Sequence, residues 1–181
     1  YLIDAITRFD NITGVSCHHE QTASIAAEYS ARTSEGGNFG VCIVTSGPGA
    51  TNALTGLVGA WLESIPVMFI SGQAKSTDLI GDSGVRQIGV QEVDIISMVG
   101  SSSKYAKTWM PETDFPKELE NAVNLMLTGR KGPIWIDLPL DVQSAMVEES
   151  IFDELSVDMP AYSCADNSFY EILSVIENAK R

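Results

Sequence analysis

A chain of 181 residues, 44% of them hydrophobic, can bury one full core and carry a smaller appendage. Its formal charge of −13 excludes nucleic acid and anionic membrane as principal partners, because both demand basic patches. No apolar run is long enough to span a membrane, and Cys17, Cys42 and Cys164 lack metal-type or redox-motif spacing, so they read as buried free thiols of a reducing, cytoplasmic setting.

The sequence enters helical spacing at once, with Leu2, Ile3, Ala5, Ile6 and Phe9 and no cap before them, as expected of a piece of a longer chain. Ile12 to Cys17 is expected as a first strand, running into Cys17-His18-His19-Glu20-Gln21. Thr22 to Arg32 then reads as a helix with Ile25, Ala26 and Tyr29 on one face, broken by Ser34-Glu35-Gly36-Gly37-Asn38. Val41 to Val44 is a β-branched run, followed by the turn Thr45-Ser46-Gly47-Pro48-Gly49 and a helix that ends near Ser64. In that turn the two glycines admit close backbone approach, while Pro48 fixes its own φ and removes a donor.

Pro66 to Ser71 is another buried strand. Gln73 to Glu92 is long, polar and punctuated by Gly81, Gly84 and Gly89, the composition of a functional loop. A short helix over Val93 to Val99 follows, then a strand from Lys104 to Trp109 and a helix from Asp114 to Leu127 with Asp114 as cap. Gly129 to Pro133 turns into the strand Ile134 to Leu138, closed by Pro139. Buried strands alternating with helices predict an α/β fold: a three-layer α/β/α arrangement, the sheet mostly parallel, with helices on both faces. Glu148, Glu149, Asp153, Glu154 and Asp158 mark a solvated connector, and a further helix runs from Phe169 to Ala179. The expected organisation is a domain over 1–147, an acidic linker over 148–168, and the first helix of another domain over 169–181.

In a parallel sheet, ligands gather beyond the carboxyl ends of the strands. Three features fall there: Glu20 after the first expected strand, Thr45 to Asn52 after the second, and the Gln73 to Glu92 loop after the third. A carboxylate opening a helix also completes the dipole, so Glu20 by itself is better explained as a capping charge. His18 and His19 are adjacent and cannot share a helix face as ligands, so no metal site is expected. Ser46 lacks the G-x-S-x-G frame of a nucleophile elbow. A dinucleotide fingerprint would want glycine at Asn52 and an acid where Gly72-Gln73 stand, which disfavours a nucleotide-binding domain. Thr45, Ser46 and Asn52 suit a neutral heterocycle better than a pyrophosphate.

The combination is more specific than its parts. His19-Glu20-Gln21, Val44 to Asn52, Ser64-Ile65-Pro66-Val67, Gly89 to Ile95, Gly129-Arg130-x-Gly132-Pro133 and Asp137-Leu138-Pro139-x-Asp141-Val142 stand in order over nearly all of residues 1–147. Together they closely resemble the pyrimidine-binding N-terminal domain of thiamine-diphosphate enzymes, most of all the acetolactate synthase and pyruvate oxidase branch. The resemblance implies a 2-keto-acid carboligase or decarboxylase acting on a substrate such as pyruvate, as a homodimer or homotetramer. It implies that Glu20 bonds to N1′ of the aminopyrimidine, with a raised pKa in a dry pocket, and favours the tautomer that takes the C2 proton. It places Thr45, Pro48 and Asn52 around the aminopyrimidine and directs Gln91 toward cofactor or substrate. Diphosphate and Mg²⁺ are held, in that family, by a downstream segment that this sequence lacks, and a flavin (FAD) in the central domain stays open. Where acetolactate synthases usually carry an aromatic residue before the matched glutamine, Val90 stands here, which leaves room for a bulkier acceptor. Lys104 resembles a basic residue near the substrate or flavin in some relatives, and equally fits a surface lysine. The alternative from another class is a non-catalytic binding or assembly module with the same fold.

Overall fold

Apolar runs without polar alternation are satisfied only where both faces of a sheet are covered, and three such runs pair here with a fourth, more polar edge strand, Tyr105–Thr108. The computed structural model describes residues 1–34, 38–152 and 166–179. In chain order its elements are α1 (Leu2–Ile6), α2 (Glu20–Thr33), β1 (Gly40–Val44), α3 (Pro48–Asn52), α4 (Leu54–Glu63) and β2 (Val67–Gln73). They continue with α5 (Ile95–Val99), β3 (Tyr105–Thr108), α6 (Phe115–Leu127), β4 (Ile134–Pro139), α7 (Leu140–Gln143) and α8 (Asp166–Asn178). The strands are all parallel, in the order β1-β2-β4-β3. All four therefore present their carboxyl ends at one edge.

The period of two along a strand divides the core. Val67, Phe69 and Trp135 pack with Ala27 of α2, Leu57 and Ala60 of α4, and Ile95 and Val99 of α5. Met68, Ile134 and Ile136 pack on the other face with Ala122, Val123, Met126 and Leu127 of α6. Phe69 and Trp135, paired in register, stack with ring centroids 5.2 Å apart. This is the expected three-layer arrangement. Asp114 caps α6 as expected, accepting from the Lys117 backbone N–H.

Several local expectations fail. Ile12 to Cys17 is not a strand: the segment is irregular, with Ile12 and Val15 exposed. Thr13 and Gly14 interrupt its apolar run, and an extended segment without a paired neighbour has nothing to satisfy its backbone. Cys17 is accordingly half-buried outside the sheet, while Cys42 is buried within β1; both are free thiols. The opening helix stops at Ile6 and buries no residue. α2 begins at Glu20, and its buried residues are Ser24, Ala27 and Glu28, so the face of Ile25, Ala26 and Tyr29 is exposed. The polar members of the buried face are satisfied locally, Ser24 Oγ donating to the Gln21 carbonyl and Arg32 to Glu28.

Residues Glu35, Gly36 and Gly37, Cys164, and Asp153, Glu154 and Asp158 of the expected acidic linker lie outside the described residues. α8 covers most of the helix expected from Phe169.

Candidate functional site

The chain leaves β1 after Val44 and turns sharply. Gly47 sits at φ 58°, and a β-carbon there would come within 2.4 Å of the Gln91 carbonyl oxygen. Pro48 then opens α3, where its missing N–H costs nothing. At Gly49 a β-carbon would meet Thr45 Cγ2 at 2.5 Å and Glu20 Oε1 at 3.2 Å. The bare backbone at this position lets both side chains close in.

Glu20 arrives from α2, whose first turn is capped by His19, Nδ1 accepting from the Gln21 N–H at 3.1 Å. Asn52, at the end of α3, donates Nδ2 to Glu20 Oε2 at 3.1 Å. Glu20, Thr45, Gly49 and Asn52 therefore meet on one side of the turn, with Pro48 exposed on the turn itself. Gln91 lies instead against Gly47. It adopts φ 56°, rare for a residue with a side chain, and with Thr45 and Ser46 it lines a recess of about 540 Å³ that also reaches Val90, Lys75 and Gln143. Glu20, Pro48 and Asn52 do not line that recess, so the expected site residues form two groups hinged on Thr45.

The electrostatics of Glu20 differ from expectation. Its own backbone N–H, then the Asn52 amide, hold its carboxyl below the ordinary range; burial acts in the other direction but does not prevail. The side chain is half-exposed, so the desolvation that would raise its pKa is outweighed by these hydrogen bonds.

A second carboxylate, not assigned a role from the sequence, is deeply placed. Asp137 on β4 is 1% exposed and stands in register with Ser71 on β2 and Thr108 on β3. Ser71 Oγ donates to Oδ1 at 2.5 Å, while Gln73 Nε2 and Thr108 Oγ1 donate to Oδ2 at 3.0 and 3.3 Å. Trp135 Nε1 donates in turn to Ser71 Oγ at 2.9 Å. Burial pushes the Asp137 carboxyl up to about 6 against these donors. The signal available in the sequence was a carboxylate inside an otherwise apolar strand, Ile134 to Leu138, a placement that requires partners.

Lys104 lies at the opposite end of the sheet, just before β3, and donates Nζ to the Thr128 carbonyl at 2.6 Å. The side chain is partly buried there, and burial lowers its pKa. Among the described residues no cluster of three or more His, Cys, Asp or Glu could hold a metal ion, and no helix is long and apolar enough to cross a membrane.

Comparison with known proteins follows the same residues. Residues 1–98 match the family model described as thiamine pyrophosphate enzyme, N-terminal TPP binding domain. The acetolactate synthase large subunit of Lactococcus lactis subsp. lactis (strain IL1403) is 35% identical over 99% of this chain, and the chloroplastic acetolactate synthase of Arabidopsis thaliana is 34% identical over 98%. The acetolactate synthase isozyme 2 large subunit of Escherichia coli (strain K12) is 41% identical over 71% of the chain. The chain spans 30%, 26% and 22% of the respective lengths of these three relatives.

Proposed function

The chain belongs to the thiamine pyrophosphate enzymes through their N-terminal TPP binding domain, and from that premise we propose that it is the pyrimidine-binding part of an acetolactate-synthase-like carboligase or decarboxylase of 2-keto acids such as pyruvate. One observation carries this reading: the carboxylate of Glu20 and the amide of Asn52, 3.1 Å apart, meet Thr45 around the bare backbone of Gly49. That cradle offers a flat, neutral heterocycle one group able to hold a proton at a ring nitrogen and one able to orient it.

Bound thiamine diphosphate would supply the electron sink needed to break the bond between the carboxylate and carbonyl carbons of a 2-keto acid. Glu20 would hold and move a proton at the aminopyrimidine ring nitrogen, Asn52 would fix the carboxylate, and Thr45 and Pro48 would shape the wall. Gln91, against Gly47, would face the substrate side. Val90 beside it is 84% exposed at the recess mouth, which fits an acceptor larger than one admitted past an aromatic residue.

The described residues fit the pyrimidine and not the diphosphate. They offer no acidic cluster for Mg²⁺, so metal and diphosphate would be held by another segment, and FAD, where used, by a further domain. Dimerisation would complete the site. Ile25 and Tyr29 on α2 and Val58 and Leu62 on α4 are exposed apolar side chains on the helices that carry or adjoin Glu20 and Asn52. Covering them would also remove water from Glu20 and raise its pKa toward the value its proposed task needs. Residues 1–147 would form this domain, 148–168 its linker, and the helix beyond would open the next domain. The free thiols Cys17 and Cys42 suit a cytoplasmic setting.

Titrating thiamine diphosphate and Mg²⁺ into the complete protein tests the reading. Saturable binding, weakened by Asn52→Ala, supports it; no binding by the intact dimer leaves only an assembly module.

A further inference from the structure

The long loop between β2 and α5 is not loosely held. Glu92 turns its carboxylate back into it, Oε1 accepting from the Ile80 N–H at 2.5 Å and Oε2 from the Ile88 and Gly89 N–H groups at 3.1 and 2.9 Å. One side chain thereby gathers both ends of the segment 80–89. Burial disfavours its charge, yet the three N–H donors prevail and keep the carboxyl below the ordinary range. Packing closes the loop from beneath: Gly89 is buried, and a β-carbon there would lie 2.3 Å from Ala74 Cβ. A second anchor follows one residue later. Gln73 Nε2, already bonded to Asp137, also donates to the Val93 carbonyl at 3.1 Å.

Gln91 immediately precedes both anchors, two residues after the bonded Gly89. Its left-handed backbone, φ 56°, is a conformation that persists only where the surroundings impose it. Its carbonyl oxygen is so near Gly47 that no side chain fits there. Adjacent residues 91 and 92 thus divide the work, one facing the recess and one facing the loop.

We propose that Glu92 is a positioning residue, its carboxylate binding residues 80–92 into a strap that fixes Gln91 over the Gly47 turn. The strap stands on geometry alone, whereas the importance of Gln91 to turnover rests on the cofactor site proposed above. A carboxylate is required because all three partners donate, and charge-assisted bonds of this kind are about twice as strong as neutral ones. Glutamine in its place would turn an NH₂ group toward N–H groups.

Glu92→Gln in the complete protein tests this. Amide exchange at Ile80, Ile88 and Gly89 should accelerate about tenfold or more while β1 and β2 amides keep their protection. With saturating thiamine diphosphate and Mg²⁺, kcat/KM for pyruvate should fall about tenfold at unchanged cofactor Kd and thermal midpoint. The double variant Gln91→Ala/Glu92→Gln should be no worse than Gln91→Ala, since one residue acts through the other. Unchanged exchange overturns the strap; faster exchange with unchanged kcat/KM, or additive losses in the double variant, overturns the positioning role. Where Glu92→Gln does not fold, Gly89→Ala displaces the same strap from below and is read in the same way. A wild-type protein that neither binds thiamine diphosphate nor turns over pyruvate defeats the cofactor-site reading, while amide exchange still decides the strap.

Discussion

Two carboxylates stand near the carboxyl edge of the sheet, and they are built in opposite ways. Asp137 is enclosed, bonded by Ser71, Gln73 and Thr108, and pushed up to about 6 by burial. Glu20 is half-exposed, has one side-chain partner in Asn52, and is held below its ordinary range. The better-satisfied group is the one with nothing left to offer a ligand. Glu20, with oxygen surface to spare beside Gly49, is finished as a helix terminus and unfinished as a site.

Substitutions sharpen that contrast. Glu20→Gln keeps the shape and removes the proton acceptor, so turnover of the complete protein should fall by about a hundredfold to ten-thousandfold with little change in thermal midpoint. Retention of near wild-type rate in steady-state assays removes Glu20 from the mechanism. Asp137→Ala should do the reverse, costing about 4 kcal/mol in denaturant unfolding because two buried donors, Ser71 and Gln73, and the partly buried Thr108 lose their acceptor and a void is left. A variant with full stability but collapsed turnover would exchange the roles assigned here.

The pH dependence of unfolding separates the two groups by sign. An unfolded Asp137 ionises near 3.8 and the folded one at about 6, so between those values the unfolded chain binds fewer protons. Stability contributed by this group is therefore full below the lower value and is lost as pH rises toward 6, by up to about 3 kcal/mol. Glu20, shifted downward, contributes stability above its ordinary pKa that is lost as pH falls through its folded value. Asp137→Asn should abolish the loss toward pH 6 in urea titrations and leave the acid limb. Smaller again is Gly49→Ala: forcing Thr45 or Glu20 aside should cost about 2 kcal/mol of stability and weaken thiamine diphosphate binding, measured calorimetrically.

Much of the architecture was legible beforehand. Val67 to Ser71 and Ile134 to Leu138 announce themselves because a centrally placed parallel strand needs apolar side chains on both faces. Asp114 signalled the start of α6 by the chemistry of its cap. Ile12 to Cys17 misled because apolar residues permit a strand but pairing decides it. At α2 the period was right and its meaning was not, since small and internally satisfied polar residues, Ser24 and Glu28, take the inner face. Glu20 and Asn52 lie thirty-two positions apart; the carboxyl-edge rule put them in one region and the family resemblance in one pocket before the fold did. The row from Ser71 through Asp137 to Thr108 depends on which strands neighbour one another, and the left-handed backbone of Gln91 on a contact with Gly47; neither is written in local spacing.

The bend after β1 is shaped by absent atoms, Gly47 beneath the Gln91 carbonyl and Gly49 between Thr45 and Glu20. Alanine, the customary tool for subtracting a contact, becomes an intruder at these two positions. A mutational scan of the domain should therefore show an inversion here, with methyl-sized additions at the glycines outweighing the truncation of larger neighbours such as Thr45.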